Sequence, residues 1–304
     1  MSMQEKKKLK VTVCLMTYNQ EKYIRQCLQS IVDQKAEFDY EVIVSDDCST
    51  DDTKKIILEF AERYPLLVRP IFQKENIGAF ANFIFLHDQA SGTYVAHMDG
   101  DDYWLPGKLS YQVKILDQNP NIVQCWTCAN LVDDDGNYKK IFPSRWARYF
   151  YPVKIDTRDI VLSYALVGHH STQMYRRKVR RRELLAEKSL DYWVAFINSL
   201  SGDSFYSKKI LSAYRMGKIE SITRNSHKKR VTVDLLAEHL YRIAEFYPEY
   251  AVEAKANMLA RRVASFVRGH DLTVIDSYIS RLNKVPTNYW LKVKSLCYFI
   301  LQKI

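Results

Sequence analysis

The order of its apolar runs predicts that this chain is an α/β protein: a doubly wound, mostly parallel sheet with a helical C-terminal region. Three observations carry the expectation. Over roughly the first 120 residues, short β-branched or apolar runs alternate with amphipathic stripes, the signature of strands joined by crossover helices. Three of those runs end in polar clusters: Thr17, Tyr18 and Asn19; Asp46, Asp47, Cys48 and Ser49; and Asp99, Asp101 and Asp102. Beyond Ser226 the strand-like runs stop, and apolar residues recur at helical spacing.

Taken in order, residues 11–16 (VTVCLM) read as a buried first strand. Ile24, Cys27, Leu28, Ile31 and Val32 then fall at i, i+3, i+4, i+7 and i+8, one stripe of a helix that begins near Glu21. Residues 41–45 make a second buried strand. Ser49, with Asp52 three residues on, resembles a capping box for a helix striped by Ile56, Ile57 and Phe60. Residues 66–72 are a third strand, and Pro70 places it near an edge because proline cannot donate to a ladder. Asn76, Ile77 and Gly78 turn into a helix carrying Phe80, Phe83 and Ile84. Residues 93–98 form the central strand, ending at Asp99-Gly100-Asp101-Asp102. A helix through Leu109, Val113 and Leu116 follows.

A chain of 304 residues, 47% hydrophobic and 13% aromatic, can bury a large core, which excludes a disordered protein. Its length and texture suggest a first domain over residues 1–225 and a basic helical region over 226–304. The six cysteines are scattered through apolar runs, as buried thiols of a reducing compartment are. Cys125 and Cys128 form a CxxC, but within a strand-like run and with no second pair to complete a zinc site. The lysine-rich N-terminus has no apolar stretch resembling a signal peptide, and no run reaches the ~20 apolar residues of a membrane span. A cytoplasmic protein, peripheral on the inner membrane face at most, is the expectation. Its net charge of +10 points to an anionic partner: nucleic acid, membrane surface or phosphorylated substrate.

In a doubly wound sheet, ligands bind outside the carboxyl ends of the strands. The three polar clusters all occupy that edge, which makes it a binding site. Three carboxylates within four positions repel one another and raise their own pKa values. A hard divalent cation, Mg²⁺ or Mn²⁺, resolves this and can hold a diphosphate. No GxGxxG follows the first strand and no GxxxxGK[ST] occurs, which disfavours a dinucleotide fold or a P-loop NTPase.

The stretches VTVCLMTYNQEKYIRQCLQSIVDQ, EVIVSDDCSTDDT, NIGAFANF and MDGDDYWLPGKL, in that order, closely resemble the nucleotide-sugar-binding half of glycosyltransferase family 2, with its GT-A fold. Weaker likeness runs on through His169, His170, Asp191 and Tyr214 to about residue 225. The resemblance implies a metal-dependent, inverting transferase. It would move a sugar from a nucleotide diphosphate, UDP for preference, to a glycan or lipid-linked acceptor, as in surface polysaccharide synthesis. Thr17 and Tyr18, with Asn19 beside them, would meet the base. Asp47 would accept the imide N–H of uracil, and Asp46 would hold its loop. Asn76 and Gly78 would wall the ribose and diphosphate. Asp99 and Asp101 would face the sugar and ribose, and Asp101 or Asp102 would ligate Mn²⁺ or Mg²⁺. Asp191 falls where the family places its general base, with Glu187 as the other candidate. His169 and His170 line the sugar and acceptor pocket, and a strand would turn only one of them, taken as His170, to the site. One departure stands out: relatives follow the Tyr-Arg pair with a histidine, and Tyr214-Arg215-Met216-Gly217 has none. His227 comes ten or more residues later. Arg215 is then a phosphate contact or a structural partner.

Residues 176–182 hold a dense run of arginine and lysine, either a solvated face or a patch for acceptor phosphate or membrane. From Ser226 on there are 13 Lys and Arg against 7 Asp and Glu. The end, YWLKVKSLCYFILQKI, suits a helix at an anionic membrane interface, a helix packed on its own domain, or a homodimer contact. Two other classes compete with a transferase of sugars. A nucleotidyltransferase also uses clustered aspartates but wants a glycine-rich phosphate loop, which TYNQ is not. A non-catalytic nucleotide-sugar or nucleic-acid module would use the positive charge, but the site edge is acidic and no nucleic-acid motif occurs.

Overall fold

The computed structural model describes residues 9–185, 191–216, 226–267 and 271–301. In chain order the first half comprises β1 (Val11–Thr17), α1 (Ile24–Val32), β2 (Tyr40–Asp46), α2 (Thr53–Arg63), β3 (Val68–Phe72), α3 (Ala79–Asp88), β4 (Tyr94–Asp99), β5 (Tyr103–Trp104) and α4 (Lys108–Gln118). Then follow β6 (Ile122–Val132), β7 (Tyr138–Phe142), α5 (Arg145–Phe150), β8 (Lys154–Ile155), α6 (Thr157–Leu162), β9 (Met174–Arg176), α7 (Asp191–Ser199) and β10 (Asp203–Arg215). The helices α8 (Ser226–Phe246), α9 (Ala251–Val267), α10 (Thr273–Arg281) and α11 (Tyr289–Leu301) complete the described chain.

The sheet runs β3-β2-β1-β4-β9-β6-β10-β5, with β7 beside β6 and β8 beside β10. β3, β2, β1 and β4 are parallel, as their near-continuous apolar sequences require of strands covered on both faces. Short β9 is antiparallel to β4 and β6, whereas β6 and β10 run parallel to each other. The sheet is therefore mixed rather than uniformly parallel. β3 is the edge strand that Pro70 predicts, but it begins at Val68, with Leu66 wholly in solvent.

One apolar cluster packs α1, α2 and α4 against the strands through Ile24, Leu28, Ile31, Ile57, Phe60, Leu109 and Leu116. A second gathers Trp126, Tyr192, Phe196 and Tyr206 with Leu240, Ile243, Ala254 and Met258 of the C-terminal helices. Through it α6, α7, α8 and α9 share one interior. Cys125 and Cys128 are free and buried in β6, and burial pushes both thiols up, to about 12 and about 11. Such thiols are packing groups, not nucleophiles.

Candidate active site

Strand register brings the polar clusters to one edge. Thr17 is level with Asp46 across β1 and β2, and Met16 is level with Asp99 across β1 and β4. The pairing continues past the strand ends: Asp47 N–H donates to Thr17 O (3.0 Å) and Gly100 N–H to Met16 O (2.9 Å). Gly100 has to be glycine here. A Cβ on it would come within 2.8 Å of Thr17 Oγ1 and would also strike Gln20 Oε1.

The first two clusters are sewn together. Asn19, in the left-handed region at φ 51°, donates its N–H to Ser49 Oγ and accepts from the N–H of Thr50. Thr17 Oγ1 donates to Gln20 Oε1, while Tyr18 stands in solvent. The Ser49–Asp52 capping box does not form. Instead Ser49 donates both its hydroxyl and its N–H to Asp46, and Asp52 caps α2 without a side-chain bond. The buried Asp46 carboxylate is the stronger acceptor and captures that hydroxyl. Asp47 accepts from the N–H groups of Ile77 (2.8 Å) and Gly78 (3.0 Å), which fixes the turn into α3, where Gly78 takes φ 87°. Asn76 is exposed at the same turn.

The third cluster divides. Asp102 is buried: its oxygens accept the Ser171 hydroxyl and the Arg215 N–H. Asp101 is half-buried. Burial, with Asp99 beside it, raises the Asp101 carboxyl to about 7, and burial with both neighbours pushes Asp102 well above the carboxylate range. Carboxyls displaced upward in this way fit a hard divalent cation, which would return them to the charged form. Burial would raise Asp99 as well, but the His97 ring beside it outweighs that and holds it below the usual range. His97, Asp99 and His170 also bring one ligand atom each to within 4.8 Å of one another, a second donor set able to take a metal ion.

The two histidines lie between α6 and β9 and not in a strand: His170 opens a 3₁₀ turn, and His169 precedes it in extended conformation. His170 has Nδ1 3.5 Å from Asp191 Oδ1 and packs on His97 with ring centroids 4.2 Å apart. His169 stacks on Tyr214 at 3.8 Å, and burial lowers it to about 4. Asp191 opens α7, half-exposed at the rim. Glu187 lies outside the described residues, as does the His227 side chain.

Arg215 is buried. Its guanidinium donates to the carbonyls of Asp101, Asp133 and Asp134 and to Gln26 Oε1, and lies over the Tyr23 ring. It clamps the end of β10 to the acidic turn, so its part is structural. Four of the five arginines in the 176–182 run are held similarly. Arg176 donates to the carbonyls of Leu116, Asn119 and Ile122, Arg177 to that of Gly92, and Arg180 and Arg182 pair with Asp88. Sequence reading missed a buried chain behind Asp99. His97 Nε2 meets Asp99 Oδ1, His97 Nδ1 meets His87 Nε2 (2.9 Å), and His87 Nδ1 meets the Tyr175 hydroxyl (2.7 Å). The available signal was a histidine two residues before Asp99, hence on the same face of β4.

Residues 12–183 match the family model of glycosyl transferase family 2. An uncharacterised protein of Mycobacterium tuberculosis is 35% identical over 208 residues, 67% of this chain and 58% of that protein. The chain thus spans a little over half the length of these mycobacterial relatives. A Campylobacter jejuni protein, GalNAc(5)-diNAcBac-PP-undecaprenol beta-1,3-glucosyltransferase, is 27% identical over 78% of this chain and 74% of its own. Among solved structures, S. aureus TarS 1-349 in complex with UDP-GlcNAc superposes with a TM-score of 0.55. It is 20% identical over 97% of this chain and 91% of that one, a likeness of fold.

Proposed function

The chain belongs to glycosyl transferase family 2 and has its GT-A fold, and on that premise we propose that it is an inverting glycosyltransferase using a UDP-sugar donor. The acceptor is a glycan or a lipid-linked saccharide, the class named for the Campylobacter relative, and the C-terminal helices contact the membrane that carries it. One observation carries the reading: strand register gathers Thr17, Asp46, Asp47 and the Asp99–Asp102 turn at one edge, and His170 links that edge to Asp191.

In this reading Thr17, Tyr18 and Asn19 border the base. Asp47, already held by two main-chain N–H groups, presents its remaining lone pairs to the uracil imide. Gly78 and Asn76 wall the diphosphate. Asp99 orients the ribose or sugar. A cation held by Asp101, with Asp99 or Asp102, would neutralise charge on the departing diphosphate. Asp191 takes the acceptor hydroxyl proton as that oxygen bonds to the anomeric carbon and the carbon–diphosphate bond breaks. His170 steadies the Asp191 carboxylate from the inner side. Titration calorimetry with UDP, with and without Mn²⁺, tests the donor half. The wild type should bind far more tightly with the ion, and Asp101→Ala should lose that gain. Unchanged ion dependence in Asp101→Ala would refute the assignment.

A further inference from the structure

Between β7 and β8 lies an aromatic face that the site does not use. From residue 136 to 155 the chain has five basic residues, Lys139, Lys140, Arg145, Arg148 and Lys154, and no acidic one. α5 turns Ala147 into the core and leaves Trp146, Tyr149 and Phe150 57%, 73% and 55% exposed. These three sit at i, i+3 and i+4, one face of the helix. Tyr138 and Val153, before and after this helix in the chain, are exposed as well. A cleft of about 490 Å³ beside them is lined by Arg145, Trp146, Arg148, Tyr149 and Lys208. Among the described residues, Arg145 and Lys208 have no carboxylate partner.

Adjacent exposed aromatics at one spot mark an interaction surface. Their chemistry chooses the occupant. Trp and Tyr favour the boundary between headgroups and acyl chains, where ring and polar tip are both satisfied. Lys139 and Lys154 are already paired with Asp133 and Asp203, but each nearby cation without such a partner adds attraction to an anionic leaflet. A glycan would stack on the rings but would leave the cations without a counter-charge.

We propose that this face docks the protein on an anionic lipid bilayer, with Trp146, Tyr149 and Phe150 at the headgroup–acyl boundary and Arg145 and Lys208 on lipid phosphates. The C-terminal end of α11 abuts it, since Ser144 Oγ donates to Leu301 O (2.8 Å). The face also reaches the site. Phe142, at the end of β7, packs on His169 with centroids 4.2 Å apart, and His169 stacks on Tyr214. Docking would bring the acceptor of the proposed reaction to the membrane on which the protein sits. Only that last step rests on the proposed function.

The test is flotation of the full chain with phosphatidylcholine vesicles, with and without phosphatidylglycerol. The protein should float with the anionic vesicles and not with the neutral ones. Combined Trp146→Ser, Tyr149→Ser and Phe150→Ser should cut the bound fraction at least about tenfold, with circular dichroism and UDP affinity unchanged. Arg145→Gln with Lys208→Gln should remove the preference for anionic lipid. A triple variant that floats like the wild type, or a wild type that ignores anionic vesicles, overturns the proposal. Nucleotide-sugar hydrolysis measured on the same preparations separates the two readings. Flotation without hydrolysis keeps the docking face and removes the transferase; hydrolysis without flotation does the reverse.

Discussion

His97 Nε2 lies 3.1 Å from Asp99 Oδ1, inside the protein and two residues before the acidic turn begins. His97 Nδ1 meets His87 Nε2 and His87 Nδ1 meets the Tyr175 hydroxyl, so all four ring nitrogens have a partner. Burial, with His97 and Arg180 adding, holds His87 well below the usual histidine range. Asp99 is thus an ionised acceptor with a fixed rotamer. His97 is a positioning residue. His97→Leu should destabilise the fold by about 1–3 kcal/mol in denaturant titration, because it leaves His87 and Asp99 each short of a partner. Donor KM should rise roughly tenfold with kcat less affected, whereas a purely structural role would lower the active fraction and leave KM alone.

Lys108 provides a pH test away from the site. It is wholly buried at the start of α4, donates to Gln112 Oε1 and lies over the Trp104 ring. Burial lowers it from 10.5 to about 7. Between those values the unfolded chain holds a proton that the folded chain does not, so stability from this group rises with pH through that window. Below about 7 both states are protonated and the contribution stays at its least favourable. Lys108→Met should therefore be stabilised relative to wild type most at or below neutral pH. The gap should close above it by at most about 1.4 kcal/mol per pH unit. A gap independent of pH from 6 to about 10 would show that Lys108 is charged throughout.

Much of this arrangement was readable beforehand. β1, β2 and β4 are short apolar runs that both-face burial demands, and each stops where Thr17, Asp46 or Asp99 begins a polar loop. What escaped were features decided by distant partners. β9 is three residues long, and its antiparallel place between β4 and β6 depends on strands far away in sequence. Ser49 reads locally as a cap, yet the Asp46 carboxylate takes its hydroxyl. Arg215 reads equally as a phosphate contact or a structural partner until the carbonyls of Asp101, Asp133 and Asp134 surround it. His97 reads as core, because nothing nearby in sequence announces His87 or Tyr175 behind it.

Asp191 separates chemistry from binding. Its carboxylate stands half-exposed at the rim, with His170 Nδ1 3.5 Å from Asp191 Oδ1. Asp191→Asn keeps the shape but cannot accept a proton, so turnover should fall by roughly 10²–10⁴-fold. UDP affinity should change by less than about 1 kcal/mol, since half-exposed carboxylates contribute little at a distance. Glu187→Gln is the matched control, and turnover lost there but kept in Asp191→Asn would move the base to Glu187.

An inverting displacement at the acidic edge fixes the anomer of the first product. Proton NMR of the sugar released to water from α-linked UDP-sugars, followed before mutarotation in the presence of Mn²⁺, needs no knowledge of the acceptor. At least one UDP-sugar should be consumed with β-anomer appearing first, and Asp101→Ala should abolish the signal. First appearance of the α-anomer, or no release from any UDP-sugar at high enzyme concentration, would contradict it.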